Sequence, residues 1–488
     1  MKKKLLTIIA ASVLAANIYA KGTTQRTELV MRDQRNLAAS ITTYNRLMPD
    51  EKAREDKIAT KWAVTGFYKD TQSKKKLGEV FGANGHNHVT VGNSTLAGVN
   101  QVDVENNLLL HASGGANSLD GTITFRPNLQ SYGTRIDTHI CLGNVIKGLY
   151  LNNNIVWKYV KQDLNVSYTG AYGAVGGENI YLRNLFDGSY LTRSSITNQQ
   201  APLKYAKLTD ARSRTGIENL ESELGLKILD KENAFFALNM TMLIPTSDRP
   251  LAEHLWEPRL GSKHWAFGGG FEAFGRLWHD EDQCIKMHAK LNYRYQFEAK
   301  EKRTLGLKDI FTAQYYNKHI LSHYYLLGYN GRRGLFPAAN VLTKDVDVKP
   351  GSLVDAVLDF SYKHKKLCID LGYNLFWKDS EDVSLKEGSW QDNIIGIAAA
   401  NYNVGTAFAT DGSNLRPGTT SWIQQTNIDT TVAETPEIFS HTIFGGIGYM
   451  MNLFKIPFMV GAGASYEFGY NRAAADAYAF WAKLGMAF

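Results

Sequence analysis

Residues Ile285 to Phe297 read IKMHAKLNYRYQF, and over these thirteen residues the side chains alternate without an error. Ile285, Met287, Ala289, Leu291, Tyr293, Tyr295 and Phe297 fall on one face of an extended strand. Lys286, His288, Lys290, Asn292, Arg294 and Gln296 fall on the other. Successive side chains of a strand point to opposite faces, so this segment separates an apolar surface from a charged one. At ~3.3 Å per residue it can cross a tilted bilayer, which takes about 9–11 residues. The strands of a soluble sandwich average only ~5–6 residues.

The pattern recurs. In KLCIDLGYNLFWK, Leu367, Ile369, Leu371, Tyr373, Leu375 and Trp377 alternate with Cys368, Asp370, Gly372, Asn374, Phe376 and Lys378. Just before it, Val354, Ala356, Leu358, Phe360 and Tyr362 alternate with polar partners that include Asp355 and Asp359, and the polar link KHKK makes the two segments a hairpin. Weaker members include ALNMTMLIP, HWAFGGGFEAFGRLW, PFMVGAGASYEFG, RIDTHICLG, IVWKYV and LNVSYTG. Aromatic residues gather near strand ends, and the chain holds 43 Gly and 25 Tyr with only 3 Cys. Gly and aromatic enrichment suits a large β structure with one wet and one apolar face.

In lipid every backbone N–H and C=O must be paired within the protein, so a sheet that crosses a bilayer must close on itself. The last eleven residues, YAFWAKLGMAF, supply a closing strand: Tyr478, Phe480, Ala482, Leu484, Met486 and Phe488 share one face. The stretch resembles the C-terminal signature of bacterial outer-membrane proteins, in which a terminal Phe follows apolar residues at alternate positions and is read by the assembly machinery. Tyr478, Phe480, Leu484, Met486 and Phe488 are the residues that carry this resemblance. It implies a partner in the barrel-assembly machinery, a position among outer-membrane lipids in a Gram-negative envelope, and a porin-like channel. General porins of similar size are trimers, so the resemblance also allows a homo-trimer.

At the other end, MKKKLLTIIAASVLAANIYA has the form of a secretory signal: three lysines, an apolar run from Leu5 to Ala16, and Ile18 and Ala20 before a cleavage site. The run is shorter than the ~20 residues of a spanning helix. Its removal takes three lysines and no acid, so a formal charge of +7 becomes +4, too mild to imply nucleic acid as a partner. The expected organisation is a signal peptide over 1–20, an N-terminal segment over 21–57, and an outer-membrane β-barrel over 58–488. Val30, Leu37, Ile41, Tyr44 and Met48 recur at helical spacing, which predicts a short helix within 27–48 that either plugs the barrel or packs on its periplasmic side.

The fold class is therefore all-β, a transmembrane antiparallel up-and-down barrel. If Phe488 and the KHKK turn are both periplasmic, an even number of strands lies within 378–437. Zero leaves a long outer loop there; two would use 393–403 and 420–430. The total is roughly twelve to sixteen strands, with fourteen the central count.

No G-x-S-x-G, H-E-x-x-H or P-loop occurs, and Cys141, Cys284 and Cys368 show no metal-ligand spacing. GGGFEA fits a dinucleotide-binding pattern only formally, because it sits inside a period-two stretch. The chain thus reads as a non-enzyme without a cofactor. On the polar faces, Lys286, His288, Lys290, Asn292, Arg294, Gln296, Asp355, Asp359 and Asp370 are the candidate pore-lining residues. Lys286, His288, Lys290 and Arg294 form a basic column, for which weak anion preference is expected. The expected function is passive diffusion of small hydrophilic solutes. The alternatives are a structural or adhesive surface protein anchored by a closed barrel, and a gated channel for apolar small molecules.

Overall fold

The structure is a computed structural model that describes residues 25–32, 60–92, 102–110, 119–175, 178–189, 200–310, 320–399, 413, 415, 422–453 and 456–488. The described residues form a closed barrel of twelve antiparallel strands. They are β1 (Thr60–Thr71), β2 (Asn128–Cys141), β3 (Leu149–Asp163), β4 (Arg212–Lys231), β5 (Ala234–Pro245) and β6 (Ala266–His279). The circuit continues through β7 (Gln283–Gln296), β8 (Gly351–His364), β9 (Leu367–Lys378), β10 (Ile438–Leu453), β11 (Ile456–Gly469) and β12 (Ala477–Ala487). Every strand pairs with its sequence neighbours, so the barrel is a meander.

Closure is made by the two ends of the circuit. Lys61 lies opposite Ala487 and Thr71 opposite Ala477. Beyond the last pair, Phe488 N donates to Thr60 O at 2.8 Å and Thr60 N to Phe488 O at 3.2 Å. This leaves no sheet edge, as lipid demands.

The alternation read from the sequence maps onto the two faces. Leu371 is 63 % exposed on the outer face while Asp370, its neighbour in the chain, is 2 % exposed and points inward. Val64, Leu238, Met240, Ile443 and Leu484 extend the apolar outer belt. Tyr132, Tyr293, Phe297, Tyr373, Tyr466, Phe468 and Phe480 ring its upper edge; Trp62, Trp278, Tyr449 and Phe488 stand near its lower one. Two such girdles flank the hydrocarbon layer in outer-membrane barrels. The chain is thus an outer-membrane-type β-barrel.

Twelve strands is the low end of the expected range. The described residues of 379–437 add none: Asp382–Ser384, Ile395–Ile397 and Ile428–Asp429 pair with residues outside the barrel. LNVSYTG likewise leaves the barrel, because Ser167–Val175 joins a separate five-stranded sheet. Both segments have strand-forming residues but lack ten or more alternating positions, and they pair instead with other short strands of the external loops. The helix predicted within 27–48 falls largely outside the described residues; 25–32 are non-helical.

The connections 142–148, 232–233, 280–282, 365–366 and 454–455 are short and share one end with Phe488. At the opposite end lie 72–127, 164–211, 246–265, 297–350, 379–437 and 470–476, most of them long. Short periplasmic turns and long external loops are the rule for this architecture, so the long end faces outward. The described residues of these loops fold together into a cap built on four small sheets and the helix α1 (Lys74–Phe81).

The cap holds the main apolar core. Leu29, Phe81, Phe125, Phe186, Trp256, Tyr324 and Leu342 belong to one buried cluster, and the inward residues Leu129, Val160, Leu353, Phe376 and Ile438 at the barrel rim belong to it too. The Phe81 ring lies 6.3 Å from that of Phe125 and 5.9 Å from that of Trp256. The cap is therefore seated in the barrel mouth by hydrophobic burial.

Leu371→Arg places a charge near the middle of the lipid belt. It should destabilise the membrane-inserted barrel by about 2–4 kcal/mol, read from denaturant unfolding in liposomes.

Candidate functional site

The candidate pore-lining residues come from three neighbouring strands and project inward. Lys286, His288, Lys290, Asn292, Arg294 and Gln296 alternate along β7; Asp355 and Asp359 stand on β8 and Asp370 on β9. All but Lys286 and Lys290 are buried, and the Lys290 side chain is only 11 % exposed.

The basic column does not stand alone: its cations meet carboxylates from other strands. His288 Nε2 lies 2.7 Å from Glu272 Oε1. Lys290 Nζ lies 2.7 Å from Glu223 and 3.7 Å from Glu272. Arg294 pairs with Glu221, and Lys286 sits over the Phe274 ring at 5.5 Å. Glu221 and Glu223 come from β4 and Glu272 from β6. The signal that could have found the β4 pair is NLESELGL, where Leu220, Ser222 and Leu224 alternate with Glu221, Glu223 and Gly225.

Lys290 and Arg294 reach β4 over a floor of small residues: Ala237, Asn239 and Thr241 on β5, Gly268 and Gly270 on β6. A Cβ on Gly268 would lie 1.9 Å from Tyr293 O, and one on Gly270 would lie 1.9 Å from Leu291 O. GGGFEA is thus a close-packed strand rather than a phosphate-binding turn. Elsewhere in the interior Arg135 meets Asp137 at 2.7 Å and Lys158 meets Glu218 at 3.3 Å. Glu218 and Asn219 are consecutive and both fully buried, because a bulge opposite Ile155–Trp157 breaks the alternation of β4 there.

The mouth is crossed by residues 25–32, QRTELVMR, an irregular strap that four external loops share. From loop 72–127, Val80 O accepts from Arg26 N at 2.9 Å and Phe81 O accepts from Gln25 Nε2 at 2.6 Å. From loop 246–265, Trp256 Nε1 donates to Leu29 O at 3.0 Å. From loop 297–350, Thr304 O accepts from Thr27 Oγ1 at 2.6 Å and Leu321 N donates to Gln25 Oε1 at 2.7 Å. From loop 379–437, Val432 O accepts from Thr27 N at 2.7 Å and Thr435 Oγ1 accepts from Val30 N at 3.0 Å. A segment outside any helix or sheet has no backbone ladder of its own, so its order comes from these partners.

Three charges fix the strap, the first of them Arg26, which lies 3.5 Å from Glu434. Glu28 enters a buried knot in the cap, 3.0 Å from Arg259 and 3.9 Å from Arg303. Glu301 lies 3.1 Å from Arg259, 2.7 Å from Arg303 and 3.3 Å from His264 Nε2. Glu381 lies 3.2 Å from Arg303 and 3.1 Å from Lys378. Burial pushes the Glu301 carboxyl up, but Arg259 and Arg303 outweigh it and hold it well below the usual carboxylate range. Burial likewise opposes ionisation of Glu381, and Lys378 with Arg303 holds it down at about 2.

Four residues on, Arg32 enters the barrel itself. Its guanidinium lies 3.2 Å from Glu467 on β11 and 3.7 Å from Asp355 on β8. It also donates to Asn374 on β9 and to Thr442 on β10 at 3.3 Å, and its Cζ lies 4.4 Å from the Phe376 ring centre. Lys69 of β1 completes the cluster, 2.6 Å from Glu467. Small cavities lie on both sides, and Met31 and Arg32 line both. The strap is therefore the wall between them. Asp355 was among the residues singled out from the sequence; Arg32, Glu28 and the knot were not.

Glu301→Gln leaves Arg259 and Arg303 short of a buried partner. The expected cost is about 3–5 kcal/mol of cap stability, seen as faster hydrogen exchange in the loop segments that contact the strap while the barrel strands stay protected. Acid should act the same way. Folded-state values depressed below about 4.5 stabilise the cap above that pH, and the stabilisation is lost as pH falls from there toward 2. Proteolysis of the cap at stepped pH measures this.

No protein-family model matches the sequence, and no characterised protein matches it in sequence. Among solved structures the fold is similar to an outer membrane channel from Pseudomonas putida, with 11 % identity, 88 % of this chain and 95 % of that chain covered, and a TM-score of 0.35. It is also similar to the β domain of a Bordetella autotransporter, at 8 % identity, 88 % and 99 % coverage and a TM-score of 0.29. A FadL homologue from Pseudomonas aeruginosa gives 6 % identity, 88 % and 90 % coverage and a TM-score of 0.26.

Proposed function

We propose that this protein is a gated outer-membrane channel for small molecules that carry an apolar body. The observation that carries the reading is the position of Arg32, bonded to four barrel strands and standing between two cavities. A passive pore for hydrophilic solutes needs an open mouth. Here the mouth is occupied by a cap whose buried cluster continues onto the rim. The larger cavity mixes charged groups with Val30, Met31, Pro350, Leu353 and Phe376, a lining suited to molecules with an apolar part.

In this reading the strap is the gate. Releasing Arg32 from Glu467 and Asp355 merges the cavities and frees the rim. The paired interior charges leave less field than an uncompensated basic column, so ion selectivity is weak. An adhesive anchor is the second reading, favoured by the packed core of the cap, which makes it a folded surface in its own right.

Arg32→Ala removes the interior end of the latch. Liposomes carrying it should take up a small neutral aromatic alcohol several-fold faster than liposomes carrying the parent protein. Equal and negligible uptake by both, from barrels shown to be folded, supports the anchor instead.

A further inference from the structure

Cys141 is the last residue of β2, at the periplasmic end of the barrel, and shares the inward face of that strand with Asp137 and His139. It is partly exposed and belongs to no disulfide. Its Sγ lies 3.3 Å from His139 Nε2. A thiol beside an imidazole becomes a nucleophile if the imidazole can take its proton and is held in the right tautomer by a third group.

The neighbouring strands supply that third group in register. His139 lies opposite Asn152 of β3, and Asn152 opposite Glu223 of β4. Asn152 Nδ2 donates to Glu223 Oε1 at 2.8 Å, and Glu223 is held by Lys290 at 2.7 Å. A carboxylate only accepts, so Glu223 fixes which way the amide points. Asn152 Oδ1 is thereby turned to His139 Nδ1, at 2.6 Å. That oxygen can only accept, so Nδ1 carries the ring proton and Nε2 is left to receive one from Cys141. Tyr150, opposite Cys141, stacks on the imidazole with ring centres 5.4 Å apart. Its own ring lies over Gly225, where a Cβ would stand 2.0 Å away.

We propose that Cys141 is a reactive thiol at the periplasmic mouth of the lumen, with His139 as its base and Asn152 as a positioning residue, and that it exchanges with small disulfides. The Sγ proton passes to His139 Nε2. The thiolate attacks one sulfur of the disulfide, the S–S bond breaks as the new bond to Sγ forms, and the departing thiolate takes the proton back from His139. One disulfide replaces another, so no further oxidant is consumed. The periplasm is an oxidising compartment in which such partners persist. The adduct stands inside the lower mouth, and the site is independent of the strap and of the channel reading.

Charges face the pair from several strands. Lys61 of β1 lies opposite His139, Glu223 and Lys290 come from β4 and β7, Glu272 of β6 is within electrostatic reach, and Asp137 stands on the same strand and is paired to Arg135. The cations favour a thiolate and the carboxylates an imidazolium, so the set accommodates the ion pair. An ordinary thiol is only about 1 % ionised at pH 6.5. Ionising most of it multiplies the thiolate by tens while each thiolate becomes several-fold less nucleophilic, a net gain of about fivefold to tenfold.

The test is the rate of mixed-disulfide formation with hydroxyethyl disulfide, a small neutral probe, at pH 6.5 on the reduced full-length protein in nanodiscs. Mass spectrometry of the peptides reads each cysteine separately. Cys284 serves as the internal reference: it is partly exposed, lies at the same end, and makes no side-chain hydrogen bond among the described residues. His139→Phe keeps a ring against Tyr150 but removes the base. It should slow Cys141 at least fivefold while the Cys284 rate stays the same. In the parent protein the ratio of the Cys141 rate to the Cys284 rate should fall several-fold between pH 6.5 and pH 9, as ordinary thiols ionise; a difference in access alone would leave it constant. An unchanged Cys141 rate in a folded His139→Phe barrel, or a ratio that does not move with pH, would overturn the proposal and leave the Cys141–His139 contact as packing. Should His139→Phe fail to fold, the pH dependence of the parent ratio decides.

Discussion

Everything in this molecule follows from the cost of an unpaired backbone group in lipid. A strand that crosses a bilayer can satisfy its N–H and C=O groups only on neighbouring strands, and the first and last strands only on each other. The pairing of β1 with β12, ended by the reciprocal Thr60–Phe488 hydrogen bonds, is where that demand is met. Closure then inverts the usual distribution of polarity. Apolar side chains go outward, and polar ones are left to fill the inside.

The inversion decides where other kinds of interaction can live. Inside the barrel the charges pair across strands, with glycines and other small residues clearing paths for long side chains. Such pairs add little net stability over an apolar filling, but losing one partner is costly, so they act more as constraints on geometry than as glue. A conventional hydrophobic core has room only beyond the membrane, and the cap is where this chain builds one. The strap joins the two worlds. Its Leu29 lies in the cap core, its Glu28 in the cap's charged knot and its Arg32 in the barrel interior.

The barrel was legible in the sequence because lipid imposes a rule on every residue of every crossing strand. Thirteen flawless alternations in 285–297 leave little freedom for another fold. The strand number was less legible, since segments such as Leu164–Gly170 and Ile395–Ile397 have the right residue types over too few positions, and only tertiary contacts assign them to the cap. The inward direction of Lys290, Arg294 and Asp370 could be read, but not their partners. Glu223 lies 67 residues from Lys290, and nothing local connects them. The strap was least legible. QRTELVMR has no period, and the apolar spacing that begins at Val30 suggested a helix, whereas the partners that hold 25–32 in place come from residues up to 435 positions away.

The central claim is that the strap holds the mouth shut. Single-channel recording of the full chain beside a variant lacking residues 25–32, in the same planar bilayer, tests it most directly. The account predicts a parent protein that is closed for most of the record and a variant with sustained, discrete conductance steps. A parent that conducts steadily at the variant's level, or a folded variant that stays silent, would contradict it.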